Sequence, residues 1–209
     1  MTIALFLPAG TLTWPAGWIW IILVHGWLLA GIVLLLRQNP GLLRERLSFS
    51  QRGQKAWDKA FLLLFEVLLF AWLVLMPLDA VRFRWSQLPL GLQLFGAAAV
   101  VGSFLVISLT FRENPFLSPA VRVQQERGQM VISTGPYHYV RHPMYAGGLL
   151  LFLGTPLMLG SLYGLLLSLV FVAGGAARAV MEERALGEEL PGYAGYLAQV
   201  KYRLIPGIW

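Results

Sequence analysis

Residues 135–145 read GPYHYVRHPMY and run directly into two apolar stretches, 144–159 and 162–181, parted only by Gly160-Ser161. An Arg, two His, three Tyr and two Pro share eleven residues. A lipid-facing segment has no use for that mixture. Pro136 after Gly135 marks a turn. Pro143 suits the first position of a helix, where its missing N–H costs nothing. Arg141 and His142 then lie just outside a helix N-terminus, which carries partial positive charge and free N–H donors. Such an end can receive an anionic or polar ligand. The same Arg and Tyr residues also suit a membrane-boundary anchor, and the stretch alone does not choose between the two.

The rest of the chain supplies the setting. Of 209 residues, 57% are hydrophobic and 12% charged, with mean hydropathy +0.67; a soluble domain carries about 25% charged residues. Further apolar runs cover 14–36, 61–79 and 89–111. The pattern predicts an all-α integral membrane protein with five transmembrane helices. The fourth, 144–159, is short for a bilayer core of ~30 Å, so the hairpin is expected to sit low or thin the membrane locally. The N-terminus lacks the basic region of a signal peptide, so the first helix is expected to be a retained anchor. No cysteine is present, which removes disulfides and thiolate chemistry.

Charge sets the orientation. Arg37, Arg44, Arg46, Arg52, Lys55 and Lys59 lie between the first two runs. Arg112, Arg122, Arg127 and Arg141 lie between the third and fourth. Arg178, Arg184, Lys201 and Arg203 gather at the end of the fifth and beyond it, and only Arg82 and Arg84 fall on the other side. The N-terminus is therefore expected outside and the C-terminus in the cytoplasm. The net charge of +6 reads as attraction to anionic lipid head groups. No basic groove with stacking aromatics suggests nucleic acid. Trp14, Trp18 and Trp20 suit the outer interface and Trp57 the inner one.

The polar segment 112–142 is long for a plain connector. Val121 to Gln124 alternates with period two, Glu126 to Gln129 reads as a turn, and Met130-Val131-Ile132 can return as a second strand. A small hairpin or an ordered extended loop over the cytoplasmic helix ends is expected. Gly147-Gly148 and Gly174-Gly175 lie inside apolar runs, so no Rossmann fingerprint exists. His25, His138 and His142 are too scattered for a metal site. His25 reads as a packed, hydrogen-bonded residue. Arg178 and Glu182 are four apart and share a helix face. Arg178 lies about a turn inside the apolar run, where a charge implies function unless it snorkels to pair with Glu182. Glu66 is mid-run and suggests an interhelical hydrogen bond. Asp79 with Arg82 and Arg84 reads as an outer-interface cluster.

The pattern Gly-Pro-Tyr-x-x-x-Arg-His-Pro-x-Tyr (135–145), followed after a hairpin by Glu182-Glu183, resembles the isoprenylcysteine carboxyl methyltransferase and phospholipid methyltransferase superfamily. The likeness runs from about 114 to 206; before that it amounts to apolar helices. It implies a division into a three-helix membrane part, 1–113, and a methyltransferase core, 114–209. It implies S-adenosylmethionine as cofactor, held between the long loop and the cytoplasmic ends of the last two spans. Carried over by position, the cofactor residues are Gln124, Gln129, Met130, Val131, Ile132, Tyr137, Arg141, His142, Pro143, Met144, Tyr145 and Glu182, with Glu183 beside it as a more distant or solvent-facing group. Aromatic faces of Tyr137 and Tyr145 suit adenine or a sulfonium. Arg178, four residues before Glu182, is the implied ligand of an acceptor carboxylate, and Arg178, His142 and Tyr145 are the implied catalytic set. The spacing from Tyr196 to Arg203 is longer than in eukaryotic carboxyl methyltransferases, which leaves Arg203 a structural role near an anchoring Trp209.

The expected activity is methyl transfer to a carboxylate of a lipid-like or isoprenylcysteine-like acceptor arriving from the bilayer. The expected location is the bacterial inner membrane, with the site facing the cytoplasm and no metal involved. A phospholipid amine methyltransferase is the first alternative. A sterol-type NADPH reductase shares the Arg-His-Pro-x-Tyr run, but those usually carry Asn where Met144 stands and a Glu soon after the Tyr, where Ala146-Gly147-Gly148 follows. A non-enzymatic membrane scaffold is the third.

Overall fold

The computed structural model describes residues 1–47 and 54–209; Arg52, counted above among the cytoplasmic charges, lies outside them. The described residues form eight α-helices and no strand: α1 (Thr2–Ala9), α2 (Pro15–Gln38), α3 (Pro40–Leu47), α4 (Ala56–Pro77), α5 (Leu90–Glu113), α6 (Pro143–Leu159), α7 (Leu162–Glu189) and α8 (Tyr193–Gln199). A π-helical turn, Leu78–Arg82, prolongs α4.

Four of these helices are long and apolar enough to cross a membrane: Pro15–Gln38, Ala56–Arg82, Leu90–Glu113 and Leu162–Glu189. The fifth expected span, α6, has 17 residues, a length of roughly 25 Å. It begins at Pro143 with His142 as N-cap, as the sequence suggests. It ends at Gly160, whose φ of 83° only glycine adopts cheaply. Ser161 then caps α7, its hydroxyl accepting from the Gly164 N–H. α7 runs past the apolar boundary to Glu189, so both Glu182 and Glu183 are helical.

α5 and α6 pack backbone to backbone. A Cβ at Gly96 would stand 2.4 Å from Met158 N and 2.7 Å from Gly154 O, and one at Gly147 would stand 2.6 Å from Ile107 Cγ1. Small residues permit this approach where hydrocarbon offers no hydrophobic drive between helices. α4 and α7 meet instead through rings. Phe65 and Trp72 contact both Phe152 and Phe171, and Trp72 donates to the Gly164 carbonyl and to Ser168.

Several expectations change at the end away from the 135–145 stretch. α1 is an unanticipated short helix; Leu5, Phe6 and Ala9 are buried in the main core. Trp20 is buried there too, donating to Thr155, and Trp14 is buried as well. Asp79 makes no cluster with Arg82 and Arg84. It is fully buried and accepts from Ser86, Ser161 and the Tyr163 N–H, tying α4 to the N-terminus of α7. A carboxylate is favourable at that positive helix end. His25 bonds the Ile21 carbonyl one turn back on an exposed face, so it is hydrogen-bonded but not packed.

The long segment is the extended loop, not the β-hairpin. A 3₁₀ turn, Gln125–Arg127, closes on Gly128 at φ 61°, so the predicted turn forms. The flanks do not pair as strands. Gln124 turns inward, donating to the Phe116 carbonyl and accepting from Arg127, and the Val121 N–H is spent on Asp58.

Candidate active site

One cavity of about 580 Å³ lies where α4, α6, α7 and the long loop converge. Its upper chamber is polar, walled by Tyr137, Arg141, His142, Tyr145, Arg178 and Glu182. Its lower part is a channel between Phe61, Phe65 and Leu69 of α4, Phe152 of α6 and Phe171 of α7.

A chain of charged and polar groups crosses the chamber. Arg178 places Nε and Nη2 at 2.9 and 2.8 Å from Asp58 Oδ1. Its Nη2 also donates to the Pro119 carbonyl at 2.6 Å, and its Nη1 to the Tyr145 hydroxyl at 2.7 Å. Tyr145 in turn donates to Glu182 Oε2 at 2.8 Å. Arg178 and Glu182 are thus joined through Tyr145. Asp58 is completely buried, and its other oxygen accepts from Gln54 and from the Val121 N–H, both at 2.9 Å. Breaking such a pair would strand a charge in a poorly solvated place. The two-point face that the resemblance assigns to an acceptor carboxylate is turned onto Asp58.

Behind the chamber, Glu183 is a hub. About 100° round the helix from Glu182, it faces protein, not solvent. His142 Nε2 stands 3.2 Å from its Oε1, and Arg203 Nε 2.9 Å from its Oε2. Arg141 Nε lies 2.9 Å from Oε1 as an ion pair, although its N–H is not aimed along a hydrogen bond. The C-terminal segment holds this hub closed: the Arg141 N–H donates to the Tyr202 carbonyl and the His142 N–H to the Arg203 carbonyl. Arg203 lies 5.1 Å from the Trp209 ring, which agrees with a structural role.

Tyrosines form the roof. Tyr137, Tyr193 and Tyr196 all line the cavity, and the Tyr196 hydroxyl donates to the Tyr137 carbonyl. The Tyr137 hydroxyl accepts from Asn114 Nδ2 at 2.8 Å, leaving its own proton for a ligand. Burial pushes the Tyr137, Tyr193 and Tyr196 hydroxyls above their ordinary range, so they are neutral donors at working pH.

Of the residues singled out from sequence, Gln129, Met130, Val131, Ile132, Tyr137, Arg141, His142, Met144, Tyr145, Arg178 and Glu182 line the cavity. Gln124, Pro143 and Glu183 do not: they fold the loop, start α6 and hold the hub. Sequence reading missed Asp58, Asn114 and the phenylalanine channel. Glu66 also departs from expectation. It lines the cavity on an exposed face of α4 and makes no interhelical hydrogen bond with any described residue.

Residues 92–190 match the family model described as Phospholipid methyltransferase. Over these residues the chain is similar to the phospholipid methyltransferase family. The match takes in α5, the long loop, α6 and all of α7, and so covers every loop and α6–α7 residue of the polar chamber. It agrees with the resemblance drawn from 135–145 and the Glu pair. The family implies a membrane methyltransferase, and such enzymes typically use S-adenosylmethionine. No curated protein matches the chain. The chamber fits that cofactor by its chemistry: the free Glu182 Oε1 accepts from hydroxyl or ammonium donors, and the tyrosine roof suits an adenine ring and a sulfonium.

Proposed function

We propose that the protein transfers a methyl group from S-adenosylmethionine to the amine head of a lipid-like acceptor. One observation carries this reading. A single cavity joins a charged chamber to a phenylalanine-lined channel, so a ligand with a polar head and an apolar body fits it lengthwise.

The bound cofactor supplies an already activated methyl group, so the protein's work is positioning, water exclusion and proton handling. Glu182 and the roof tyrosines hold the cofactor. Tyr145 is fixed between Arg178 and Glu182 and keeps both side chains in place. An ammonium acceptor must lose a proton before its nitrogen can attack. His142 is set up to take it: Glu183 engages Nε2, which leaves the Nδ1 lone pair as base. Base and orienting carboxylate form the pairing that general-base sites use. Asp58 neutralises Arg178, so the cation beside the chamber does not repel an amine.

A second reading is transfer to a carboxylate, as in isoprenylcysteine-type acceptors. It is favoured by Arg178, which lines the cavity and whose Nη1 carries a second N–H besides the one given to Tyr145. That offers a one-point contact from a compensated cation.

The test is to supply purified protein in lipid nanodiscs with methyl-labelled S-adenosylmethionine and a bacterial lipid extract. Lipid label that stays non-volatile after mild alkali is the expected N-methyl product. Label released by alkali as volatile methanol comes from a methyl ester and establishes the carboxylate reading. Absence of labelled lipid, with cofactor binding intact, would overturn both.

A further inference from the structure

Glu66 stands at the centre of α4: ten residues from Ala56 and eleven from Pro77, roughly 15 Å of helix on either side. A carboxylate side chain cannot snorkel that far, and a carboxyl without a partner in hydrocarbon is costly whether ionised or neutral. Four other acids of these helices each hold at least one polar partner, although Asp79 Oδ1 is left without one. Asp58 holds Arg178, Asp79 holds Ser86 and Ser161, Glu182 holds Tyr145, and Glu183 holds His142 and Arg203. Glu66 has no partner among the described residues. Its side chain is exposed and also lines the lower channel beside Leu62, Phe65 and Leu69.

The level of Glu66 can be fixed against the chemistry. Asp58 sits at the height of Arg178, since the two are bonded. Glu66 is eight residues further along the same helix, roughly 12 Å deeper and about 80° round from Asp58. An acceptor whose head is in the chamber would carry its own chain past Glu66.

We propose that Glu66 is a specificity-determining residue for the acceptor body. Its carboxyl group hydrogen-bonds a neutral donor, a hydroxyl or amide N–H, borne on the acceptor's apolar chain roughly 12 Å from the methylated atom. The proposal rests on the lipid-acceptor reading above. A neutral donor is preferred over a second cation because a buried ammonium carries its own desolvation cost at that depth. A purely hydrocarbon chain would leave the carboxyl unpaired and is selected against.

The experiment uses two probes: a saturated long-chain primary amine, and the same amine with one chain hydroxyl roughly 12 Å from the nitrogen. Binding to the purified full-length protein in detergent is read by quenching of tryptophan fluorescence without cofactor, so catalysis is not needed. Wild type is expected to bind the hydroxylated amine at least fivefold more tightly than its plain twin. Glu66→Leu should bind both alike, at the affinity of the plain amine, which also shows that the variant is folded. Glu66→Gln, which keeps hydrogen-bonding capacity, should retain most of the preference. Equal binding of the two amines by wild type, or an undiminished preference in Glu66→Leu, overturns the role of Glu66 and leaves the lipid-amine reading standing. Failure of wild type to bind either amine overturns that reading and this proposal with it.

Discussion

Asp58→Asn is a sharp perturbation because it changes charge without changing shape. Asp58 Oδ1 takes two Arg178 nitrogens and Oδ2 takes Gln54 and the Val121 N–H. An asparagine can satisfy only one side. With its oxygen toward Arg178, its NH₂ faces two donors; with the NH₂ toward Arg178, a donor faces a guanidinium. Either way Arg178, with only 12% of its side chain exposed, loses its compensating charge. Removing one partner of a buried pair costs about 3–5 kcal/mol. Arg178 borders a cavity that water can reach, which argues for the lower end, about 3 kcal/mol. For a chain of this size each kcal/mol shifts Tm by roughly 2–4 °C, so a fall of about 6–12 °C is expected. Fluorescence-monitored melting in one detergent would measure it. Adding Arg178→Gln singly and together with Asp58→Asn completes a double-mutant cycle, and the two sites should couple strongly. A Tm within about 2 °C of wild type for Asp58→Asn, or additive single and double variants, would refute the claim that this pair joins α4 to α7.

Other outcomes follow from the same geometry. Glu182→Gln should weaken S-adenosylmethionine by about 1.5–3 kcal/mol, the worth of a charge-assisted acceptor, with Tm nearly unchanged; calorimetry checks both. Arg178→Lys cannot reach Asp58, Tyr145 and the Pro119 carbonyl together, so kcat/KM for the acceptor should fall at least about tenfold, ~1.4 kcal/mol, while cofactor Kd stays near wild type. Gly96→Ala should abolish stable expression or sharply lower Tm, because its Cβ would meet backbone atoms that have no room to move. Tyr137, Tyr193 and Tyr196 hold their protons more tightly folded than unfolded, through burial. Stability should therefore be flat through neutral pH and decline as pH rises past about 10, where the unfolded tyrosines ionise; Tyr196→Phe should soften that decline in a Tm series across alkaline pH.

The parts legible in sequence were those with local signals. Apolar run length located the spans, Pro143 marked the start of α6, Gly160-Ser161 the hairpin turn, and i,i+4 spacing put Arg178 and Glu182 on one face. The illegible parts depend on contacts between distant segments. Asp58 lies in a first helical turn where an acid is commonplace, and nothing nearby hints at a guanidinium 120 residues away. The alternation from Val121 to Gln124 mimics a strand, but it arises because Val121 serves Asp58 and Gln124 serves its own loop. The large angle between Glu182 and Glu183 follows from helix geometry alone and is legible in the sequence. What could not be read is that the C-terminal tail returns to meet Glu183 with Arg203. Proximity in sequence points Asp79 to Arg82 and Arg84, whereas the helix N-terminus that it caps is contributed by α7.

The glycine contacts between α5 and α6 give the cavity one stiff wall and one compliant one. Where Gly96 and Gly154 meet, no side chain stands between the two backbones to rotate aside. The α6 wall, with Met144, Tyr145 and Leu149, is thereby backed by a second helix that cannot slide. The opposite wall is upholstered: Phe61, Phe65 and Leu69 of α4 reach across with rotatable rings and branches. Turning α4 side chains would change the girth of the channel without disturbing the α5–α6 backbone contacts. The cavity is thus bounded by backbone contacts on its α6 side and by rotatable side chains on its α4 side.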